Sequence, residues 1–387
     1  MSTLAIKNIG KLITGDLNNP VSEHDTIIVV NGKIKEIGGT ELLNNYDLDK
    51  VVDAKGTTVA PGLIDSHAHP VLGDFTPRQK TMGFIESSLH GGVSTMISAG
   101  EPHTPGRPKG DKEGAKSLAK LVHKSFNNLR PGGVKVHGGA LILEKGLTEE
   151  DFKEVTREGV WLVGEVGLGT VKDPEEAAPM IEMAKNYGMK VMMHTGGTSI
   201  PGSSNVGYED VINAKPTVVS HLNGGPTSIP FDDVKKLIDN SDITLELVHN
   251  GNPKIMKQAA EYAMEKDCLD RFIIGNDAPS GTGVIVLSII RVISFLSSVA
   301  GIPPEKAICM ATGNTSKVYD LNVGLIEKGR EADFVIMDAP MGSVGEDSLT
   351  AFQEGDLPGV SMVIVDGEVM FTKSRNTPPA VRMAEVQ

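Results

Sequence analysis

The chain has 387 residues, 39% hydrophobic and 22% charged, enough core for a barrel of roughly 250 residues plus an accessory unit. Lys and Arg total 37 against 50 Asp and Glu, and the resulting charge of −13 argues against a nucleic-acid partner, because phosphate binding needs clustered cations. Cys268 and Cys309 are the only cysteines and form no Cys-x-x-Cys pair, which excludes a disulfide framework and a cysteine-built zinc site. Residues 1–7 lack the charged and apolar regions of a signal peptide, so a cytoplasmic protein is expected. Residues 25–30 and 33–37 flank Asn31-Gly32, a two-residue hairpin signal because both positions tolerate positive φ. Short apolar runs rich in Val, Ile and Met follow at 58–66, 93–98, 134–143, 160–166, 190–194, 217–221, 243–248 and 271–276. Helical stretches at 112–129, 174–187, 231–239 and 253–266 separate them. The apolar run 284–300 is interrupted by Arg291 and several serines and reads as a buried barrel helix, with no membrane association expected. The chain closes with a strand at 332–337 and a second hairpin, 362–365 and 368–371 about Asp366-Gly367. Eight strands alternating with helices predict an α/β fold, a (β/α)8 TIM barrel over 57–325, with a small β-sandwich built from 1–56 and 326–387. An open doubly wound sheet lacks support, since no Gly-x-Gly-x-x-Gly follows the first barrel strand.

In such a barrel the chemistry sits at the C-terminal ends of the strands. The first of these ends in His67 and His69, which on an extended strand share one face and can bind one metal ion. The fourth offers Glu165, the fifth His194, the sixth His221 and the eighth Asp277. Taken singly, Glu165 reads equally as a solvated carboxylate, His194 as a satisfied core histidine and Asp277 as a helix cap. Their convergence on one rim is what points to metal. Four histidines and two carboxylates exceed one tetrahedral ion and suit two divalent ions sharing a carboxylate. His137, placed at the end of the third strand, and His249, at the end of the seventh, are not needed as ligands. Each is a candidate for substrate contact or a histidine packed in the rim. His24, His90, His103 and His123 are expected on surface turns or helices, and the glycine-rich loop 196–205 either folds over the site or is an ordinary loop.

The segment 60–70, His194, Ser220-His221-Leu222-Asn223, Asn276-Asp277-Ala278 and the late segment 324–334 together resemble the amidohydrolase superfamily of binuclear metal hydrolases. The resemblance covers nearly the whole chain, the split β unit included. It implies that His67, His69 and Asp277 hold one ion, that His194 and His221 hold the other, and that the fourth strand supplies the bridge. Where that family often has a carbamylated lysine, this chain has Glu165, so a glutamate bridge is expected, with Lys135 as its competitor. The implied chemistry is a water acidified by two ions, a polarised amide carbonyl, and Asp277 relaying the proton to the leaving nitrogen. No nucleophilic Ser or Cys is required, and no Gly-x-Ser-x-Gly elbow is present.

The glutamate bridge and the spelling of the strand ends are most similar to a branch of the superfamily that acts on a cyclic amide. It opens 6-oxo-1,4,5,6-tetrahydronicotinate to 2-formylglutarate and ammonia, in nicotinate degradation. This likeness implies one zinc and one iron per chain and a homotetramer. Arg107, Lys109 and Lys215 are candidate cations for the substrate carboxylate. Competing readings are a dihydroorotase- or hydantoinase-like cyclic amidase, an N-acetyl sugar deacetylase, and a heterocyclic-base deaminase with a single ion. A non-catalytic binding protein is disfavoured by the intact set of six candidate ligands.

Overall fold

The computed structural model describes residues 2–70, 81–101, 104, 107, 109–197, 205–225, 227–280 and 283–387. His103 and most of the 196–205 loop lie outside the described residues.

Both predicted hairpins form. Thr26–Val30 pairs antiparallel with Lys33–Gly38, and Gly359–Val365 with Glu368–Phe371. Their central residues, Asn31 and Gly32 (φ 50° and 74°) and Asp366 and Gly367 (φ 50° and 76°), take the left-handed conformation that a tight two-residue turn demands. The two ends of the chain interleave in two sheets. One runs Glu385–Val386, Lys50–Asp53, Thr3–Lys7, Thr26–Val30, Lys33–Gly38. The other runs Glu368–Phe371, Gly359–Val365, Phe334–Asp338, Thr58–Pro61, Lys11–Ile13, Val21–Ser22. Leu4, Ile6, Ile27 and Val52 from the first sheet and Leu12, Val59, Phe334 and Ile364 from the second share one apolar cluster. The predicted strand at 58–66 is in fact two. Thr58–Pro61 belongs to the second terminal sheet, and after Gly62 the chain enters the barrel.

The barrel strands, in order, are Leu63–Ala68, Val93–Ser98, Lys135–His137, Leu162–Val166, Lys190–Met193, Val218–Val219, Thr244–Val248 and Phe272–Gly275. All their pairings are parallel. The bridges Leu141–Val163 and Ala68–Ala278 join the third strand's path to the fourth and the eighth to the first, closing a ring of eight. Side chains alternate across it. Ile64, Ile97, Leu162, Met192, Val218 and Ile273 fill the lumen near the strand entrances, while Leu63, Met96, Val163, Val191, Val219 and Ile274 face the helices.

Helix Lys112–Asn128 shows how the outer layer forms. Asp111 caps it, accepting from the backbone N–H groups of Glu113 and Gly114 at 3.0 Å each, and Ala115, Ala119, Val122 and Phe126 make its buried stripe. The apolar run at 284–300 is the helix Ser288–Ser298, and among the described residues no helix is long and apolar enough to cross a membrane.

Candidate metal centre

The C-terminal ends of five strands bring His67, His69, Glu165, His194, His221 and Asp277 together. Local irregularities aim them. The register between the fourth and fifth strands shifts between Val163 and Val166, and that between the first and second shifts between Asp65 and Ala68. A bulge adds a residue and re-aims its neighbours, which turns Glu165 inward although both Val163 and Val166 face the helices. His221 and Asp277 hold left-handed backbone, φ 34° and 59°, a strained state for residues other than glycine that persists only where surroundings enforce it. Asp277 N–H donates to the His67 carbonyl at 2.9 Å, and the Asn223 amide clamps Val248 through two 2.9 Å bonds, fixing the turn after His221. At Gly275 an added Cβ would lie 2.7 Å from the His67 Cβ, so only glycine lets the eighth strand pass behind that histidine.

The six side chains form two sub-sites with Glu165 between them. In the first, His67 Nε2 lies 3.8 Å from Glu165 Oε2 and 3.6 Å from Asp277 Oδ1, and His69 Nε2 lies 4.0 Å and 3.4 Å from the same atoms. Apart from the 3.4 Å pair, these separations are long for hydrogen bonds. They are near the roughly 3.3 Å edges of a tetrahedron of ligands about 2.0–2.1 Å from a central ion. In the second, His194 Nδ1 is 3.0 Å from Glu165 Oε1 and His221 Nε2 contacts the same oxygen. His67 and His69 are directed by their other nitrogens. His69 Nδ1 faces the Gly100 carbonyl at 3.1 Å, and His67 Nδ1 faces Glu246 Oε2 at 2.7 Å. His67 Nε2 is left buried, without a hydrogen-bond partner and aimed into the first sub-site. That donor set fits a pair of divalent cations.

The electrostatics agree. Burial opposes charge on Glu165, but His221 and His194 hold its carboxyl well below the usual carboxylate range. Asp277 is likewise held down against its burial by His69, His67 and His221. Burial also works against a charged His67, yet Glu246, Asp277 and Glu165 raise its pKa to about 10. So much fixed negative charge favours a cation here, whether proton or metal.

The other predicted residues divide. His249 follows the seventh strand at the rim, its Nδ1 3.2 Å from Asn250 Oδ1, and burial together with Arg291 lowers its pKa. His137 is a correction. The paired strand does end at His137, but the chain has not yet reached the exit rim: it turns at Gly138-Gly139, against helix Lys112–Asn128, and rejoins the barrel at Leu141. His137 therefore sits in the entrance half, its ring 5.4 Å from Trp161, which precedes the fourth strand. It lines a cavity of about 180 Å³ with Arg130, Lys135 and Glu331, and burial pushes its pKa down to about 4. Lys135 is no competitor for the bridge either. Its Nζ is held at the entrance by Glu331 at 2.7 Å, Asp333 at 2.8 Å and Asp366 at 2.7 Å.

Of the three candidate cations, Lys215 precedes the sixth strand and so belongs to the same far end. Arg107 is engaged by Glu144 at 3.2 Å and the Leu168 carbonyl at 3.1 Å, and Lys109 is exposed.

Sequence reasoning missed two carboxylates. Asp65 accepts from Asn276 N–H at 2.9 Å and His67 N–H at 3.2 Å, tying the first strand to the eighth, and burial pushes its pKa up to about 7. Glu246 stands in the seventh strand between Leu245 and Leu247, which face the helices. An acid alternating with outward leucines is a lumen-facing acid, and that pattern was the available signal.

Residues 58–370 match the family model described as the amidohydrolase family. The chain belongs to the amidohydrolase family. Among curated relatives, this amidohydrolase is 58% identical over 386 residues to an enamidase of Eubacterium barkeri, covering 100% of both chains. It is 23% identical to a dihydroorotase of Clostridioides difficile, covering 95% of this chain and 99% of that one. Among solved structures, the crystal structure of an enamidase superposes with a TM-score of 0.97 at 58% identity, again over 100% of both chains. A beta-aspartyl dipeptidase from Fervidobacterium islandicum AW-1 shares the fold at TM-score 0.66 and 18% identity, over 98% of this chain and 99% of that one.

Proposed function

We propose that this amidohydrolase opens the cyclic amide 6-oxo-1,4,5,6-tetrahydronicotinate, giving 2-formylglutarate and ammonia. The hydrolase reading is carried by the placing of Glu165, whose two carboxylate oxygens each face a different pair of histidines. The substrate reading is supported by the full-length likeness to enamidase. His67, His69, Glu165 and Asp277 would hold one divalent ion and Glu165, His194 and His221 the other, taken here as zinc and iron. Bound there, the ions supply Lewis-acid polarisation of a carbonyl and a water acidified toward neutral pH.

The side chains do the rest. Asp277 Oδ1 faces His67 and His69, whereas Oδ2 points to the side of Gly225, where a Cβ would lie 3.9 Å away. Oδ2 is thus placed to take a proton from the attacking water and deliver it to the leaving nitrogen. Asn250 Nδ2 donates to the Asp277 carbonyl at 2.7 Å, so its Oδ1 accepts from His249 Nδ1–H. His249 Nε2 is then an acceptor, suited to the lactam N–H rather than to an oxyanion. One water adds across the lactam C–N bond, leaving a carboxylate and an enamine. The enamine tautomerises to an imine, and a second water converts the imine to the aldehyde and ammonia.

We read residues 57–325 as the catalytic barrel, residues 1–56 with 326–387 as a β-sandwich, and the protein as a cytoplasmic homotetramer. The test is to incubate metal-loaded protein with this lactam and follow ammonia. Absence of ammonia, beside turnover of dihydroorotate, a hydantoin or an acetylated amino sugar, would discard the substrate and leave the metal hydrolase standing.

A further inference from the structure

Glu246 is fully buried, and both its side-chain oxygens are engaged. Oε1 accepts from Ser66 Oγ at 2.5 Å. Oε2 faces His67 Nδ1 at 2.7 Å and accepts from the backbone N–H of His221 at 3.2 Å. The Glu246 main-chain carbonyl accepts from Leu222 N–H at 2.7 Å, so this residue grips the turn after the sixth strand with side chain and backbone together. That turn contains the left-handed His221, whose conformation needs an external hold.

We propose that Glu246 is a positioning residue that couples the two ion sub-sites, fixing His67 of the first and the strained backbone of His221 of the second through one carboxylate oxygen. The inference rests on the reading of these histidines as ion ligands. A carboxylate that accepts from Nδ1–H keeps the ring proton on that nitrogen, so Nε2 presents its lone pair to the first sub-site and becomes a stronger donor. Oε2 also holds the amide of His221, so displacing Glu246 tilts one ligand and frees the backbone of the other. Neither sub-site can loosen alone.

Two variants separate charge from placement. Glu246→Gln retains an acceptor of the same reach and removes the charge, whereas Glu246→Leu removes both. Ion content per chain is measured at graded chelator concentration, and the visible spectrum is recorded with Co(II) loaded to saturation. Glu246→Gln should weaken ion retention about 10-fold and Glu246→Leu about 100-fold, the span known for partners of ligating histidines. Both ions should become easier to remove, and the Co(II) bands should shift even at full loading, which a loss of stability alone would not produce. Wild-type ion retention with an unshifted spectrum in Glu246→Gln overturns the proposal, and so does loss of the first ion alone with the second retained as in wild type. Should the leucine variant fail to fold, the glutamine variant decides. A wild-type protein that binds no ions would overturn the ligand reading itself, a result distinct from either variant outcome.

Discussion

The two ends of the barrel carry the same kinds of residues and do opposite things with them. At the strand entrances Lys135 is surrounded by Glu331, Asp333 and Asp366, each within 2.8 Å, and joins the third strand to the terminal sheets. At the exits Glu165 and Asp277 meet four histidines, but their spacings run to 4.0 Å, and His67 Nε2 is buried with no partner. A buried charge cluster whose members satisfy one another is architecture. One that leaves a buried nitrogen aimed at a gap between carboxylates is a site prepared for something else, because an orphaned polar atom costs about 1–3 kcal/mol that only a ligand returns. Charge density alone does not tell the two ends apart; the degree of pairing does.

The sharpest way to break this contrast is to remove the central charged residue of each end. Glu165→Ala should release at least one ion per chain and bring ammonia release close to background, since the repulsion between two cations is no longer offset by a shared anion. Lys135→Ala should keep its full ion content and lose about 3–5 kcal/mol of stability, having left the buried Asp333 without its counter-charge. Ion analysis and denaturant titration of the two variants check both halves. A Lys135→Ala protein that folds but has lost its ions would erase the distinction.

Next in size is Asp277→Asn, which keeps an oxygen for the first sub-site but cannot accept a proton. Turnover should fall by roughly 10²-fold or more with ions at least partly retained, and full activity with metal bound would refute the proton-relay role. A smaller contrast pairs two histidines that the sequence alone does not tell apart. His249→Ala should lower turnover by about 10-fold, the loss of one hydrogen bond to substrate. His137→Ala should turn over like wild type and lose about 1–2 kcal/mol of stability, because it packs on Trp161 at the other end.

The smallest effect concerns another fully paired cluster, in the helical layer. Asp151 accepts from Lys116 at 2.7 Å, from Lys112 at 3.0 Å and from Thr148 N–H at 2.8 Å. Burial raises its pKa, but these donors outweigh it and hold the carboxyl well below its unfolded value of 3.8. With the folded pKa depressed, its stabilisation is fully present above that value and fades as pH falls below it. Wild type and Asp151→Asn should therefore differ in stability by a constant amount from neutral pH down to about pH 5, with the gap narrowing only at lower pH. A gap that instead narrows between pH 7 and 5 would show that Asp151 is not held in its charged form.

Local chemistry alone dictates part of this molecule. Asn31-Gly32 and Asp366-Gly367 had to turn, because those residues tolerate left-handed backbone. The alternation of apolar runs with helices had to bury a parallel sheet on both faces, and a barrel's strand ends had to gather whatever polar residues terminate the strands. That logic named His67, His69, Glu165, His194, His221 and Asp277 as neighbours, and the structure brings all of them to one place. Where a strand's end lies in space, and which charges find partners, depends on the closed fold. The kink at Gly138-Gly139 moves His137 to the entrance side, the bulge after Val163 turns Glu165 inward, and Lys135 is neutralised by acids from the far end of the chain, Glu331, Asp333 and Asp366. Glu246 reaches His67 across 179 positions of sequence. Contacts of that kind depend on how eight strands close into a ring, a three-dimensional constraint that no local pattern encodes.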